Sequence, residues 1–129
     1  MSEQFSFRIV TPEKIFLEGT AEIIAVPGLE GDIGFLANHT NLITSLRPGM
    51  IKVSCPDSED ALIFVDGGFV KFSDNELLVV AEEAAENNQI DSEFINMKLK
   101  KYNDEILIAN EKDKVRISGK IDSLKLLLN

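Results

Sequence analysis

The chain has 129 residues, of which 44% are hydrophobic and 27% are charged. This composition suits one modest folded domain, with or without an appendage, and argues against disorder. A formal net charge of −9 argues against nucleic acid or an anionic membrane surface as a partner. The single cysteine, Cys55, excludes an intramolecular disulfide framework. No apolar run reaches the ~20 residues of a membrane-spanning helix, and no secretory signal is apparent, so a cytoplasmic location is expected.

Short apolar segments, broken by turn residues, run from Phe5 to Val80. In the first of them, Phe5, Phe7 and Ile9 alternate with polar residues, which is typical of a half-buried strand. Further segments of this kind are residues 14–17, 21–26, 42–46, 50–53, 62–65, 69–72 and 77–80. Roughly nine strands at this spacing predict an antiparallel sandwich or barrel.

Two glycine-containing segments separate these strands. Residues 28–34 combine Gly28, Gly31 and Gly34 with two acids, which predicts a tight exposed loop with unusual backbone angles rather than a phosphate site. Asp66, followed by two glycines, predicts a tight β-hairpin.

The periodicity changes after residue 81. Residues 82–89 are polar and resemble a linker, and Asp91 can cap a following helix. Two helical faces are then predicted, one formed by Ile95, Leu99, Tyr102 and Ile106 and the other by Ile117, Ile121, Leu124 and Leu128. Gly119, near the start of the second helix, disfavours it by about 1 kcal/mol. We therefore predict a β-sandwich, residues 1–85, followed by an α-helical hairpin, residues 86–129.

Little in the sequence indicates catalysis. His39 is the one histidine, and it could act as a general base or simply bond to its own loop. An enzyme using His39 with Asp66 or Glu83 is one alternative, and a sandwich that binds a small ligand is another. The low aromatic content disfavours the second. No metal site, nucleophile elbow or nucleotide-binding glycine motif is recognisable, so no cofactor is expected.

An ordered series of landmarks resembles the N-terminal domain of the epsilon subunit family of F-type ATP synthases. The landmarks are Val10-Thr11-Pro12-Glu13, Phe16, Gly19, residues 26–34, His39, Leu46-Arg47-Pro48-Gly49 and Gly67-Gly68-Phe69. The helical hairpin occupies the place of that family's C-terminal domain. The resemblance implies a fold of about ten strands plus a helical hairpin.

The resemblance also implies a non-catalytic rotor subunit of the central stalk. Glu30, Gly31 and Asp32 match the loop that meets the membrane-embedded ring of c subunits. Thr11, His39 and Thr44 match positions that face the gamma subunit. The location implied is the cytoplasmic face of the bacterial inner membrane, held there through the complex with no direct insertion.

In similar proteins the hairpin lies against the sandwich or extends along gamma towards the alpha and beta subunits, where it blocks ATP hydrolysis. The basic residues that match this role are Lys98, Lys100, Lys101, Lys112, Lys114, Arg116, Lys120 and Lys125. Some relatives bind ATP through a motif that begins Ile/Leu-Asp and ends Arg-Ala. Here Ile90-Asp91 is present, but Phe94-Ile95 replaces Arg-Ala, so ATP binding is not expected.

Overall fold

The computed structural model describes residues 3–56 and 58–128, so that Met1, Ser2, Asp57 and Asn129 lie outside the described residues. Within that range ten strands precede two helices, which confirms the predicted fold class. The strands are β1 (Phe5–Val10), β2 (Ile15–Ala21), β3 (Ile23–Gly28), β4 (Gly31–Leu36), β5 (Leu42–Leu46), β6 (Gly49–Ser54), β7 (Ala61–Val65), β8 (Gly68–Ser73), β9 (Glu76–Ala81) and β10 (Ala84–Glu86). A 3₁₀ turn (Asn87–Gln89) leads to α1 (Ser92–Ile106) and α2 (Glu111–Leu126).

The strands form two layers of one continuous sheet. The first layer has the order β10-β7-β6-β3-β4 and the second the order β5-β8-β9-β1-β2. A single paired position, Gly28 with Leu46, joins the layers at a corner between β3 and β5. The pairs are antiparallel as predicted, except that β1 and β9 run parallel. The β-hairpin predicted at Asp66 is wrong, because β7 and β8 lie in different layers and do not pair, so this turn crosses between the layers. The layers therefore enclose one core and leave two outer faces.

Alternate residues of both layers point into this core. Phe35 and Phe72 stack with ring centroids 5.5 Å apart, and Phe5 meets Phe72 edge-on at 5.5 Å. Ile9 and Ile51 are also fully buried among them. Each such side chain contributes about 1.5–3 kcal/mol relative to an exposed one, so this cluster is the main source of stability.

The predicted glycine loop is for the most part a strand, and this prediction was wrong in its extent. β3 and β4 pair throughout, so that only Leu29 and Glu30 form the turn. Gly31 alone of the three glycines has a positive φ, 150°. Gly28 is required for a different reason, since a Cβ there would lie 2.4 Å from the Gly31 carbonyl oxygen. The inward alternation of Ile33 and Phe35 was hidden by their small neighbours.

The segment predicted as a linker contains the short strand β10, which pairs with β7. Ala85 is buried by this pairing and faces the helices. The strand covers the edge of β7 that would otherwise present unpaired backbone groups. Its three residues are too few to show a sequence period.

The helices begin at side-chain caps: Asp91 accepts a hydrogen bond from Phe94 N, and Asn110 accepts one from Asp113 N, both at 2.8 Å. The predicted apolar faces are confirmed at six buried positions, whereas Ile106 is half-buried and Leu128 is exposed. Both helices pack on the outer face of the first layer, against Phe64, Met50 and Ala85. None of the helices in the described part of the chain is long and apolar enough to cross a membrane.

Candidate interaction surfaces

The β3–β4 turn projects two exposed side chains, Leu29 and Glu30, followed by Gly31 and Asp32. Leu29 keeps 61% of its surface exposed, so its side chain is accessible at the tip and is not part of the core. The tip therefore combines an apolar and an acidic side chain. Sequence reasoning identified the acids and missed Leu29.

Arg47 braces this tip from the turn that follows β5. Its guanidinium donates to the Gly28 carbonyl and pairs with the Asp32 carboxylate at 2.5 Å. The backbone N–H of Arg47 donates to Pro27 O at 3.0 Å, and that of Leu29 donates to Ser45 O at 2.9 Å. Asp32 is thus neutralised, whereas Glu30 forms no ion pair within residues 3–56 and 58–128.

An apolar row crosses the outer face of the second layer. The strand register places Phe69 beside Val80, Val80 beside Val10, and Val10 beside Ile15. Phe69 is 40% exposed and Ile15 is 50% exposed. No element of the described chain lies over this row, which we call the outer apolar row. In the sequence, this row is indicated by apolar residues at outward as well as inward positions of β1 and β9.

Thr11, His39 and Thr44 lie around the second layer rather than in one cluster. Thr11 follows β1 and donates to Lys14 O through its backbone N–H at 2.9 Å. Thr44 is in β5 and is separated from β1 by β8 and β9, roughly 14 Å across the sheet. His39 precedes β5, with its Nδ1 2.6 Å from Thr40 O and its ring 4.8 Å from that of Phe35.

Charged groups bridge the first layer and the hairpin. We call them the seam cluster, and its members are Asp66, Glu82, Glu83, Lys98, Tyr102 and Lys120. Asp66 accepts hydrogen bonds from Tyr102 at 2.5 Å and from Lys98 at 3.0 Å. Lys98 also donates to Glu83 at 2.8 Å, and Lys120 pairs with Glu82. Asp66, Lys98 and Lys120 are 2%, 6% and 8% exposed.

Burial and these contacts shift the ionisation of the cluster. Burial by itself would lower the pKa of Lys98, but the hydrogen bond to Glu83 and the charge of Asp66 outweigh it, so the pKa is raised. Burial raises the pKa of the Tyr102 phenol, and the hydrogen bond to Asp66 raises it further. The lysine is held charged and the phenol neutral.

The basic residues of the hairpin divide into two groups. Lys98 and Lys120 are buried in the seam cluster. The others lie at the surface: Lys100, Lys101, Lys112, Lys114, Arg116 and Lys125. Lys114 and Arg116 are within 3.7 Å of Glu111 and 3.9 Å of Asp113, on the same helix. Only the surface group is available to a partner while the hairpin is docked.

The residues of the shortened nucleotide motif have structural contacts. Asp91 caps α1, and Ile90 is half-buried beneath the hairpin. Phe94, at the position of the motif's arginine, meets Phe64 edge-on with centroids 5.5 Å apart. An apolar contact between helix and sheet thus stands where a phosphate donor would be needed.

The residues of the enzyme alternative do not meet. No hydrogen bond or ion pair in the described ranges joins His39 to Asp66 or Glu83. Nor do those ranges contain three or more metal-ligating side chains placed to hold an ion. An open depression of about 510 Å³ beside β1 is lined by both polar and apolar residues, including the ion pair of Arg8 and Glu18 at 3.3 Å.

Comparison with known proteins decides the family. The family model for the "ATP synthase, Delta/Epsilon chain, beta-sandwich domain" matches residues 4–87. An ATP synthase epsilon chain of Parvibaculum lavamentivorans is 31% identical over 128 residues, which cover 98% of this chain and 97% of the relative. The chain belongs to the ATP synthase epsilon chain family. The resemblance inferred from the sequence is confirmed.

Other relatives agree. The epsilon chain of Paramagnetospirillum magneticum is 34% identical over 100 residues, covering 78% of this chain and 75% of the relative. A chain in the Euglena gracilis mitochondrial ATP synthase structure (OSCP/F1/c-ring) has a TM-score of 0.70 at 24% identity, covering 92% and 74%. A chain in the Tetrahymena thermophila central stalk/c-ring structure has a TM-score of 0.65 at 14% identity, and the match covers 97% of this chain and 94% of that one. At these identities the two structures show a shared fold.

Proposed function

We propose that this chain is the non-catalytic rotor subunit of the central stalk of a proton-translocating F-type ATP synthase. The observation that carries the proposal is the match to one bacterial epsilon chain over nearly the whole length of both proteins. The chain transmits rotation of the c-ring to the catalytic head through gamma. It works at the cytoplasmic face of the bacterial inner membrane, without inserting, and has no nucleic acid partner.

The sandwich (residues 1–85) provides both rotor contacts in this proposal. Glu30, Gly31 and Asp32 meet the c-ring, and the exposed Leu29 adds an apolar contact at the same tip. Thr11, His39 and Thr44 are proposed contacts with gamma by resemblance. The outer apolar row is a separate proposed contact, because Thr44 shares the inner face of its strand with the buried Val70, whereas Phe69 lies on the outer face. An exposed apolar strip with neighbouring polar residues is the kind of surface that protein partners cover.

The hairpin (residues 86–129) is the regulatory part. In its extended position it contacts alpha and beta and inhibits ATP hydrolysis. The surface lysines and Arg116 supply the charge for that contact, while Lys98 and Lys120 become available only after undocking. The docked form described above is the non-inhibiting one.

Co-purification with gamma tests the proposal. We expect the chain and gamma of the same bacterium, produced together, to form a stable complex at micromolar concentration. Phe69→Asp, in the outer apolar row, should weaken that complex at least tenfold, because it places a charge in a desolvated contact. Leu62→Asp is the matched control, since Leu62 is also 40% exposed but lies in the first layer. A well-folded chain that fails to bind gamma would refute the proposed function.

A further inference from the structure

Asp66 has an unusual position for an aspartate in a turn. It follows β7 in the Asp-Gly-Gly turn, where aspartate is ordinarily solvated, yet it is 2% exposed. Its burial is caused by the hairpin, since the side chains that contact it belong to α1 and α2. A charge removed from water in this way destabilises the fold unless it is paired.

Side chains of both helices pair with Asp66. On α1, the Tyr102 hydroxyl and the Lys98 ammonium donate to the same Asp66 carboxylate oxygen, Oδ2, at 2.5 Å and 3.0 Å. On α2, Lys120 Nζ donates to the Asp66 backbone carbonyl at 3.5 Å and lies 3.9 Å from Oδ1. Lys120 also reaches the Tyr102 hydroxyl at 3.4 Å. One residue of the sandwich thus contacts three side chains of the hairpin.

The remaining contacts of the hairpin constrain its position less. The two lysines also pair with Glu82 and Glu83, but these glutamate side chains are 56% and 46% exposed, so solvent screens the pairs. Apolar contacts with Phe64, Met50 and Ala85 are non-directional and tolerate sliding or rotation of a helix. Hydrogen bonds to a buried carboxylate are directional, and fixing the register is the best-attested role of buried polar groups.

We propose that Asp66 is the positioning residue of the hairpin, a buried carboxylate that sets where both helices dock on the sandwich. Undocking then requires that Asp66, Lys98 and Lys120 part together. Losing these contacts destabilises the docked position of the hairpin but not the sandwich core, because Asp66 points away from that core towards the hairpin. This inference concerns the isolated chain and does not depend on the proposed function.

The chain contains its own probe of docking. Tyr102 is the single tyrosine, and there is no tryptophan, so the ultraviolet absorbance of tyrosinate reports on this one group. The charged groups that face it are Asp66 and Glu82 of the sandwich, Glu105 of its own helix, and Lys101 and Lys120. Docking raises its pKa above the ordinary value of 10.0.

The test compares the full chain with Asp66→Asn. Asparagine keeps the shape and an acceptor oxygen but leaves Lys98 without its buried charge partner. We expect Tyr102 to titrate about one pH unit or more lower, near the value of a solvated phenol. Amide hydrogen exchange of α1 and α2 should accelerate at least tenfold, while that of β8 and β9 stays within about twofold. Asp104→Asn, which removes one exposed charge from α1, is the matched control and should behave as the unaltered chain.

Two results would overturn the proposal: unchanged helix protection and unchanged Tyr102 titration in Asp66→Asn, or equal loss of protection in helices and strands. If that variant does not fold, the double variant Lys98→Met/Lys120→Met decides, because it leaves every sandwich residue in place. Selective release of the hairpin in the double variant supports the positioning role of Asp66 when Glu82→Gln/Glu83→Gln, which removes only the exposed partners of the two lysines, leaves the hairpin docked. Equal release in the glutamate variant refutes it. Retained protection of α1 and α2 in the lysine double variant also refutes it.

Discussion

At the scale of single residues, Arg47 holds the β3–β4 turn in place although it lies outside that turn. It lies in the turn after β5, yet its contacts are with Gly28 and Asp32 on either side of the β3–β4 turn. Its own side chain is only 26% exposed. The tip is therefore held by hydrogen bonds from a partly buried guanidinium, and hydrogen bonds of a charged donor are stronger than those of a neutral one.

Replacing Arg47 by alanine should loosen the tip. We expect the free energy of unfolding to fall by about 1–3 kcal/mol, because a charged hydrogen-bond donor is lost and the Gly28 carbonyl loses its partner. Urea unfolding measures the loss, and amide exchange at residues 29–32 should accelerate most. Arg8→Ala is the matched control: Arg8 also pairs with an acid, but both partners are 56% exposed, so its loss should be below about 1 kcal/mol. Equal losses of stability in the two variants would contradict the stabilising role of Arg47 at the tip.

The same contacts of Arg47 predict that the two acids of the tip are unequal. Glu30→Lys should weaken coupling of ring and head in the assembled complex, because Glu30 is free to meet basic side chains of a partner. Asp32→Lys should also destabilise the chain itself, by placing a second cation beside Arg47. Proton pumping by reconstituted complex, with urea unfolding of each isolated variant, separates the two effects. Normal pumping with Glu30→Lys would count against a ring contact at this tip.

At the scale of elements, Gly119 destabilises α2, and no steric contact requires a glycine there. The glycine lies in the middle of the helix rather than near its start, and a Cβ there would meet no atom within 4 Å. Gly119→Ala should stabilise α2 by about 1 kcal/mol through reduced chain entropy. Amide exchange of α2 measures this. The sandwich strands should exchange as before, and slower exchange throughout the chain would mean that the hairpin and sandwich unfold as one unit.

The elements also show which sequence signals suffice. Strands with clear alternation, such as β1 and β8, and helices with capped apolar faces, α1 and α2, are predictable from the residues alone. β4 is not, because Gly34 and Leu36 occupy outward positions where polar residues would mark the alternation, and β10 is not, because three residues cannot display a period. In both cases pairing with a neighbouring strand decides the structure.

The candidate interaction surfaces were predictable only where their residues belong to the family landmarks. Glu30, Asp32 and His39 stand in such landmarks, so their candidacy followed from the sequence. The outer apolar row joins four strands that are distant in the chain, and Asp66 looked like an ordinary turn residue. Register and burial reveal these features, and both arise from long-range contacts that no local pattern records.

For the whole molecule, docking of the hairpin should weaken at alkaline pH. Docking raises the pKa of Lys98 above 10.5 and that of Tyr102 above 10.0, so the docked form holds both protons more tightly. By linkage, this contribution is complete below those ordinary values and is lost as pH rises through them towards the docked values. From about pH 9 to about pH 11.5, small-angle X-ray scattering should show the radius of gyration increasing, while circular dichroism shows that the strands persist.

Tyr102→Phe provides the control for this prediction. The variant lacks the phenol proton, so its transition should follow Lys98 alone and be shallower. A radius of gyration that stays constant over the whole range would show that the ionisable groups of the seam cluster do not govern docking.

Deleting residues 91–129 should raise ATP hydrolysis by the assembled complex, since the proposed inhibitory element is then gone. The sandwich retains its core without the hairpin, but Asp66 and Phe64 become exposed, so the deletion also needs a check of binding to gamma. Unchanged hydrolysis with normal gamma binding would mean that this hairpin does not inhibit.

The parallel pairing of β1 with β9 has a consequence for the newly made chain. Ser6 aligns with Glu76 and Val10 with Val80, so the N-terminal strand cannot complete its place until almost the whole sandwich has left the ribosome. The β1–β2 and β3–β4 hairpins can form early from neighbouring residues, but their apolar faces stay uncovered until β9 is inserted between β8 and β1. The hairpin follows, because its docking residue, Asp66, needs partners on both helices. The sandwich therefore closes late, when β9 is inserted, and docking of the hairpin follows it.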